Sequence, residues 1–234
     1  FRQSGDRWDF TAQVADDNMT YIRDSGGLAL DGETSPGGGL VDVIFEGTTL
    51  FNHAGSLSFP GPVSIPPYFY DVTLNVGNVT LNSEMQVGGA LTLFSGYIHS
   101  DSTNRITLKE AGVINGGHAS SHVIGPMDIE TGSTSIYEVP IGDGVNYRPI
   151  FITPSATTFT VYTTEFHNTS YVSTVCGSFI NHIGIESWWD VDKSAGGSDC
   201  YVGINWDANS GVDVPADIIL CYYNTATSEW DYLL

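Results

Sequence analysis

Short apolar pairs recur about every 20 residues along the first half of the chain, and this recurrence constrains the fold more than any other feature. Each pair belongs to a segment of three to five residues in which apolar and polar side chains often alternate, as in Val72-Thr73-Leu74. Alternation with a period of two places the apolar side chains on one face of a strand. The clearest series comprises Trp8/Phe10, Leu28/Leu30, Leu50/Phe51, Tyr70/Val72, Leu91/Leu93 and Val113.

Two further series of apolar pairs run between the members of the first. The second comprises Tyr21/Ile22, Val41/Val43, Val63/Ile65, Val79/Leu81 and Tyr97/Ile98, and the third comprises Leu57/Phe59, Met85/Val87 and Ile106/Leu108. Three short strands in about 20 residues are typical of a β-solenoid, whose coils bury their inner faces by stacking on one another. A meander of ordinary hairpins is the alternative. We predict a right-handed parallel β-helix over residues 1–123, with glycine and asparagine at its corners.

The pattern changes after Gly116-Gly117, and the segments that follow Pro126 are longer and differently spaced. They include runs of β-branched and aromatic residues, such as Thr158-Phe159-Thr160-Val161-Tyr162. Strands are expected near residues 134–139, 148–153, 157–165, 178–189, 199–206 and 215–223. Roughly seven or eight strands in about 110 residues suit a Greek-key β-sandwich. We therefore predict a sandwich domain over residues 124–234 and an all-β chain.

The charge of the chain excludes several kinds of partner. The 234 residues include 27 acidic and 7 basic ones, which gives a net charge of −20. Binding to nucleic acid or to anionic lipid needs clustered lysine and arginine, so neither is expected. No apolar run approaches the roughly 20 residues of a transmembrane helix, so membrane insertion is not expected either. The same charge predicts that salt or calcium stabilises this acidic fold by screening its self-repulsion.

A series of motifs runs in order through residues 65–234. Leu-x-Leu strands with glycine corners, as in 87–93, lead to the junction Ser121-His122-Val123-Ile124-Gly125-Pro126. The elements that follow are Val139-Pro140-Ile141-Gly142-Asp143-Gly144, Tyr147-Arg148-Pro149, Glu186-Ser187-Trp188-Trp189-Asp190 and Ile204-Asn205-Trp206-Asp207. In this order the motifs resemble the large secreted surface proteins of Bacteroidota. That family has Phe and Val where Val139 and Ile141 stand here, so the two exchanges keep the apolar character.

The resemblance implies a segment of an extracellular cell-surface protein that acts as an adhesin, fibre or scaffold. Proteins of this type are typically exported by the type IX secretion route. The partners that we expect are neighbouring domains or subunits of a larger surface assembly, with glycans as further candidates. We expect the chain to be one non-enzymatic structural or adhesive segment of a longer protein.

A carbohydrate-binding or polysaccharide-cleaving β-helix protein is the alternative function. Hydrolysis on such a fold needs carboxylates that stack at one column of the coils. The acidic residues between 70 and 110 do not share such a spacing, and they are Asp71, Glu84, Asp101 and Glu110. Lyases need a basic residue, and lysine and arginine are sparse in the same half. We therefore expect no catalytic residues and no firm cofactor.

Metal binding is left open by the sequence. His118 and His122 are four residues apart, which suits a metal pair on a helix, but the intervening Ala-Ser-Ser indicates a loop. The histidines are therefore expected to be structural, and they are His53, His99, His118, His122, His167 and His182. Calcium is a candidate ligand of Gly142-Asp143-Gly144 and Asp190-Val191-Asp192, because it takes oxygen ligands in flexible loops.

Four of the tryptophans lie in the second half, and they are Trp188, Trp189, Trp206 and Trp230. If Trp188 and Trp189 belong to one strand, they must point to opposite faces of its sheet. We expect these side chains to fill a core or an interface rather than to stack on sugar rings.

The three cysteines also lie in the last third of the chain, and they are Cys176, Cys200 and Cys221. No Cys-x-x-Cys spacing occurs, which argues against a zinc or redox motif. Two alternatives stay open, one disulfide with a free thiol or three buried free cysteines.

Overall fold

The protein is described by a computed structural model that covers residues 2–4, 7–9, 20–23, 28–29, 44–51, 55–58, 68–75, 77–177, 180–181, 183–206 and 219–232. Side chains are described for Phe51 and for the covered residues from 68 onward. All regular elements in these ranges are β-strands, which confirms the predicted all-β class. None of the covered residues belongs to a helix long and apolar enough to cross a membrane.

The first six strands are described through their backbones. They are β1 (Arg2–Ser4), β2 (Arg7–Asp9), β3 (Thr20–Arg23), β4 (Leu28–Ala29), β5 (Ile44–Phe51) and β6 (Gly55–Ser58). β1 and β2 are antiparallel, whereas β3 pairs with β5 and β4 pairs with β6 in parallel. Parallel pairing of segments that are far apart in sequence is what successive coils of a solenoid produce.

Nine strands then build three successive coils. They are β7 (Tyr68–Leu74), β8 (Val79–Leu81) and β9 (Met85–Val87), then β10 (Ala90–Leu93), β11 (Gly96–His99) and β12 (Ile106–Leu108), then β13 (Val113–Gly116), β14 (Ser121–Ile124) and β15 (Met127–Thr131). Each strand pairs in parallel with the strand at the same place in the next coil. With the parallel pairing of β5 to β7 and β6 to β8, the sheets form a β-solenoid of about four turns.

Columns of apolar side chains fill the interior of the solenoid, with one residue from each of the strands stacked in a sheet. One column consists of Val79, Ile98, Val123 and Ile141. Another consists of Phe69, Val87, Leu108 and Ile129. All eight side chains are exposed by 2% or less. Since burial of a Val, Leu or Ile side chain contributes roughly 1.5–3 kcal/mol, these columns hold the coils together.

Two residues of the first predicted series lie at a corner and not in the interior. Tyr70 is 51% exposed and Val113 is 54% exposed, whereas Phe69 and Val72 are buried. The alternation breaks between Phe69 and Val72 because β7 turns there: its first residues pair with β9 and its last with β10. Leu57, predicted for the third series, aligns with Leu81 of the second instead.

The remaining strands are β16 (Tyr137–Val139), β17 (Ile141–Gly142), β18 (Ile150–Pro154), β19 (Thr160–His167), β20 (Trp188–Gly196), β21 (Cys200–Ile204), β22 (Cys221–Asn224) and β23 (Glu229–Tyr232). β17 pairs in parallel with β14, so coil-like stacking continues to Gly142, beyond the domain boundary expected at residue 123. The division into domains 1–123 and 124–234 stays a prediction.

One sheet of the solenoid continues into antiparallel strands. β19 pairs antiparallel with β15 of the last full coil, and β20 pairs antiparallel with β19. β19 alternates regularly, with Thr160, Tyr162, Thr164 and Phe166 buried on its inner side. The β-branched and aromatic residues of this strand therefore cover the end of the solenoid core.

The other late strands form two smaller antiparallel sheets. The first has the order β16-β18-β21, and the second is the hairpin β22–β23. The segment expected near 178–189 is a strand only from Trp188 onward among its described residues, and part of the segment near 215–223 lies outside them. The assembly of these strands into a Greek-key sandwich stays a prediction.

Candidate functional site

Charged side chains link the strands on the outer side of β12, β15 and β19. Arg105 Nε lies 3.3 Å from Asp128 Oδ2, and Lys109 Nζ lies 2.5 Å from Glu130 Oε1. Thr163 Oγ1 donates a hydrogen bond of 2.6 Å to Asp128 Oδ1. Burial raises the pKa of Asp128, while the contacts with Thr163 and Arg105 oppose that rise. The salt bridges connect the second coil to the third, and the hydrogen bond from Thr163 connects the third coil to β19.

The basic residues from position 68 onward are all engaged in contacts of this kind. Besides Arg105 and Lys109, Lys193 Nζ donates to Asp199 Oδ1 at 2.8 Å. Arg148 is only 4% exposed, and one of its Nη atoms donates to the Tyr147 carbonyl. The described surface between residues 68 and 232 therefore has no cluster of unpaired cations to which an anionic partner could bind.

Two turns share the pattern Asp-x-x-Asn, which the sequence interpretation missed. In each turn the aspartate Oδ1 accepts hydrogen bonds from the backbone N–H groups two and three residues on, at 2.5–2.8 Å. Asn104 and Asn146 also donate through Nδ2 to Asp101 and Asp143. The bond from Asn104 lowers the pKa of Asp101, and for Asp143 such bonds outweigh the opposing effect of burial. Asp143 thus has a structural role in its own loop.

The second candidate calcium segment lies on β20. Asp190 and Asp192 are exposed, with Asp190 opposite Glu165 and Asp192 opposite Thr163 on β19. Burial raises the pKa of Glu165, with His167 opposing the rise and Asp190 adding to it. Within the described ranges, no three His, Cys, Asp or Glu residues are grouped to hold a metal ion. Calcium binding stays a prediction.

His118 and His122 lie on a corner loop and the start of β14, and their rings have separate partners. His118 Nε2 lies 3.2 Å from the Phe94 carbonyl, and its Nδ1 lies 3.0 Å from Ser120 Oγ. His122 Nδ1 lies 3.0 Å from the His118 carbonyl, and its Nε2 accepts from the Gly144 N–H at 3.1 Å. Both rings therefore bind protein groups. His53 and His182 lie outside the described residues.

The four carboxylates considered for hydrolysis lie at different places in the coil. Asp71, on β7, accepts a hydrogen bond of 2.6 Å from the Ala90 N–H and so joins two coils. Glu84 precedes β9, Asp101 follows β11, and Glu110 follows β12. The structure therefore does not bring these four side chains together in one column.

The two adjacent tryptophans point to opposite faces of β20, as predicted for residues of one strand. The Trp189 ring packs on Phe166 at 5.3 Å, and its Nε1 donates to the Arg148 carbonyl at 3.2 Å. The Trp188 ring stacks on His167 at 3.8 Å, with the two planes 13° apart. Trp189 therefore borders the core, and Trp188 lies on the outer side.

A small aromatic cluster connects the C-terminal hairpin to β20. The Tyr171 ring lies 4.9 Å from Trp188, 4.8 Å from Tyr223 and 5.1 Å from Trp230. Trp230 Nε1 also donates to the Ser173 carbonyl at 2.7 Å. Three of the four late tryptophans thus pack against protein, while Trp206 is 42% exposed.

All three cysteines are free thiols and half-buried. Cys176 bridges to Trp230 on β23, and Cys221 lies opposite Tyr232 on the other side of the same strand. Cys176 and Cys221 are therefore separated by two strand spacings, which is about 10 Å. This distance exceeds the usual Cα separation in a disulfide. Of the two alternatives, the structure therefore has three unpaired cysteines.

An exposed aromatic side chain marks the outer face of the β16-β18-β21 sheet. Tyr201 is 74% exposed and lies opposite Thr153 on the neighbouring strand. Phe151 and Gly203 form the adjacent cross-strand pair on the same face. An exposed aromatic ring of this kind can stack on a sugar ring or on another apolar group.

No family model, curated protein or solved structure matches this chain. The functional argument therefore depends on what the side chains of this molecule do.

Proposed function

We propose that this chain is a non-enzymatic structural or adhesive segment of an extracellular cell-surface protein or fibre. The observation that supports it is the use of the outer polar groups on the coils. Asp71 bonds to the next coil, Lys109 and Arg105 pair with carboxylates of the next coil, and Asp101 closes its own turn. Such contacts stiffen a stack of strands and leave no convergent acid and base among the four carboxylates considered for catalysis.

The proposal includes finer points of fold and setting. The solenoid is right-handed, and residues 124–234 complete a Greek-key sandwich against its last coil. The motifs that resemble secreted surface proteins of Bacteroidota support an extracellular location at the cell surface. Neighbouring domains or subunits of the assembly are the partners.

A direct test incubates the purified protein with neutral and acidic polysaccharides. New reducing ends and unsaturated products should stay at the level of the buffer control, because the four carboxylates considered for catalysis do not converge at one place in the described coils. Turnover that a single point substitution abolishes would show the non-enzymatic proposal to be wrong.

Carbohydrate binding is the second candidate function, and exposed Tyr201 is the observation that favours it. Retention on a glycan array should then fall several-fold in Tyr201→Ala, since stacking on an aromatic ring contributes about 0.5–1.5 kcal/mol beyond area burial and about 1.4 kcal/mol corresponds to tenfold. Tyr222→Ala is the matched control, because Tyr222 is also exposed but lies on the C-terminal hairpin. Equal binding by both variants and the unaltered protein would exclude Tyr201 as a sugar platform.

A further inference from the structure

His122 lies at the contact between the third coil and the loop that follows β17. The side chain belongs to β14, points to the outer side of the solenoid and is 0% exposed. The loop Gly142–Tyr147 covers it: a Cβ placed on Gly142 would lie only 2.7 Å from His122 Nε2. The loop is closed by a bridge between Gly142 and Tyr147 and by the hydrogen bonds to Asp143.

The hydrogen bonds of His122 define its protonation state. The Gly144 backbone N–H can only donate, so His122 Nε2, which lies 3.1 Å from its nitrogen, must present a lone pair. Nδ1 therefore carries the hydrogen and donates to the His118 carbonyl at 3.0 Å. This is the neutral imidazole, with both nitrogen atoms satisfied.

Protonation would put a second N–H in the position that now accepts a hydrogen bond. The Gly144 N–H and the new Nε2–H would then face each other, and the loop would lose its bond to the ring. A buried imidazolium would also need a counter-charge. Both effects favour an arrangement in which the loop moves away and water reaches the ring.

The groups around His122 decide whether a charge could be tolerated in place. Tyr97 and His99 face it from β11, His118 from the corner before β14, and Asp143 and Tyr147 from the loop. The Asp143 carboxylate is held by three hydrogen bonds from its own turn and forms no salt bridge to the ring. Burial lowers the pKa of His122; the His118 carbonyl and Asp143 oppose that shift, and the His118 and His99 rings add to it.

Behind the loop, Glu138 accepts a hydrogen bond of 3.0 Å from the Tyr147 hydroxyl. Burial, followed by the charge of Glu138, raises the pKa of Tyr147, so this phenol stays neutral throughout the range in which histidine titrates. Asp143 bonds to backbone groups of its own loop, so the titration of the contact between the loop and the third coil falls to the histidines. Of these, His122 bonds to the loop backbone through its side chain.

We propose that His122 is an acid-sensitive latch, whose protonation releases the loop Gly142–Tyr147 from the third coil. A base whose pKa is lower in the closed state binds protons more tightly when the latch is open. The closed state is therefore fully stable above the ordinary value of 6.5 and loses stability as the pH falls below it.

Hydrogen exchange followed by mass spectrometry tests the latch on the whole chain. After correction for the intrinsic exchange rate, protection of a peptide covering residues 141–148 should fall at least tenfold between pH 7.5 and 5.0. A peptide covering β12 should keep its protection over the same range. In His122→Gln the amide oxygen can accept from Gly144 but does not titrate, so the loss should be abolished. His99→Gln is the control, a half-exposed histidine on the same face that should behave like the unaltered protein.

Two results would overturn the latch. One is the same pH dependence of the loop in the unaltered protein and in a folded His122→Gln. The other is loss of protection in β12 at the same pH as in the loop, which would indicate global unfolding. If His122→Gln fails to fold, NMR titration of the unaltered protein decides instead. The ring signals of His122 and the exchange of the Gly144 amide should then change at one pH, and separate midpoints would contradict the proposal.

Discussion

At the scale of single residues, the close approach of two corners gives a sharp test of the coil geometry. Gly96 has a φ of +95°, which side chains rarely adopt, and a Cβ there would lie 1.7 Å from the Gly77 carbonyl oxygen. Gly96→Ala must therefore either shift the preceding coil or strain the backbone. We expect a loss of about 2 kcal/mol or more in the free energy of unfolding by urea.

The matched control for that substitution is Gly184→Ala. Gly184 has no neighbouring atom within 4 Å of an added Cβ and no positive φ. Its free energy of unfolding should change by less than about 0.5 kcal/mol. Equal stability of the two variants would mean that the corners of successive coils are not stacked as described.

At the scale of the strands, the facing carboxylates of β19 and β20 predict a stabilising substitution. Glu165 and Asp190 are directly opposite, and the pKa of Glu165 is raised mainly by burial and further by Asp190. A raised pKa in the folded state means that ionised Glu165 lowers stability above that pKa, and that the penalty disappears on acidification. Glu165→Gln should therefore raise the melting temperature at pH 7, with a smaller gain at pH 4.

Asp192→Asn is the control, because Asp192 faces Thr163 and no carboxylate. Its effect on the melting temperature at pH 7 should be clearly smaller. A decrease in stability of Glu165→Gln at pH 7 would contradict the repulsion and would point to a dominant contribution from His167, whose Nε2 lies 3.6 Å from Glu165.

The coils were predictable from sequence because their apolar columns depend on short local pairs. Met85 and Val87 do align with Ile106 and Leu108, as the spacing indicated. The corner at Tyr70 was not predictable, because the residues at the bend of β7 are of the same types as those in its straight parts. The pairing of β15 with β19 was not predictable either, because nothing in the alternation of β19 identifies its neighbour in the sheet.

The candidate sites were less accessible to sequence reasoning. The hydrogen bonds of Asp143 within its own turn could not be predicted, because an acidic residue type in a loop does not reveal its partners. Repetition of Asp-x-x-Asn at Asp101 and Asp143 was the signal that could have indicated a structural turn. The burial of His122 depends on a loop some 20 residues further on, so no local pattern could show it.

At the scale of the whole molecule, charge predicts how stability responds to salt. The net charge of −20 opposes the compact state, and added ions screen that repulsion within about 10 Å at 0.1 M. The melting temperature should therefore rise between about 0.02 M and 0.5 M sodium chloride, and potassium chloride should give the same curve. A flat or falling curve would show that self-repulsion does not limit stability.

The hydrogen bonds between coils run along the direction in which the coils are stacked, while each strand lies across it. A pulling force along the stack would thus pull neighbouring coils apart and load all the hydrogen bonds between them at once. The salt bridges Lys109–Glu130 and Arg105–Asp128 would resist the same force. A force along the strands would instead shear the same bonds. Under a force along the stack the solenoid should therefore open one layer after another, and each opened coil should add length and dissipate energy.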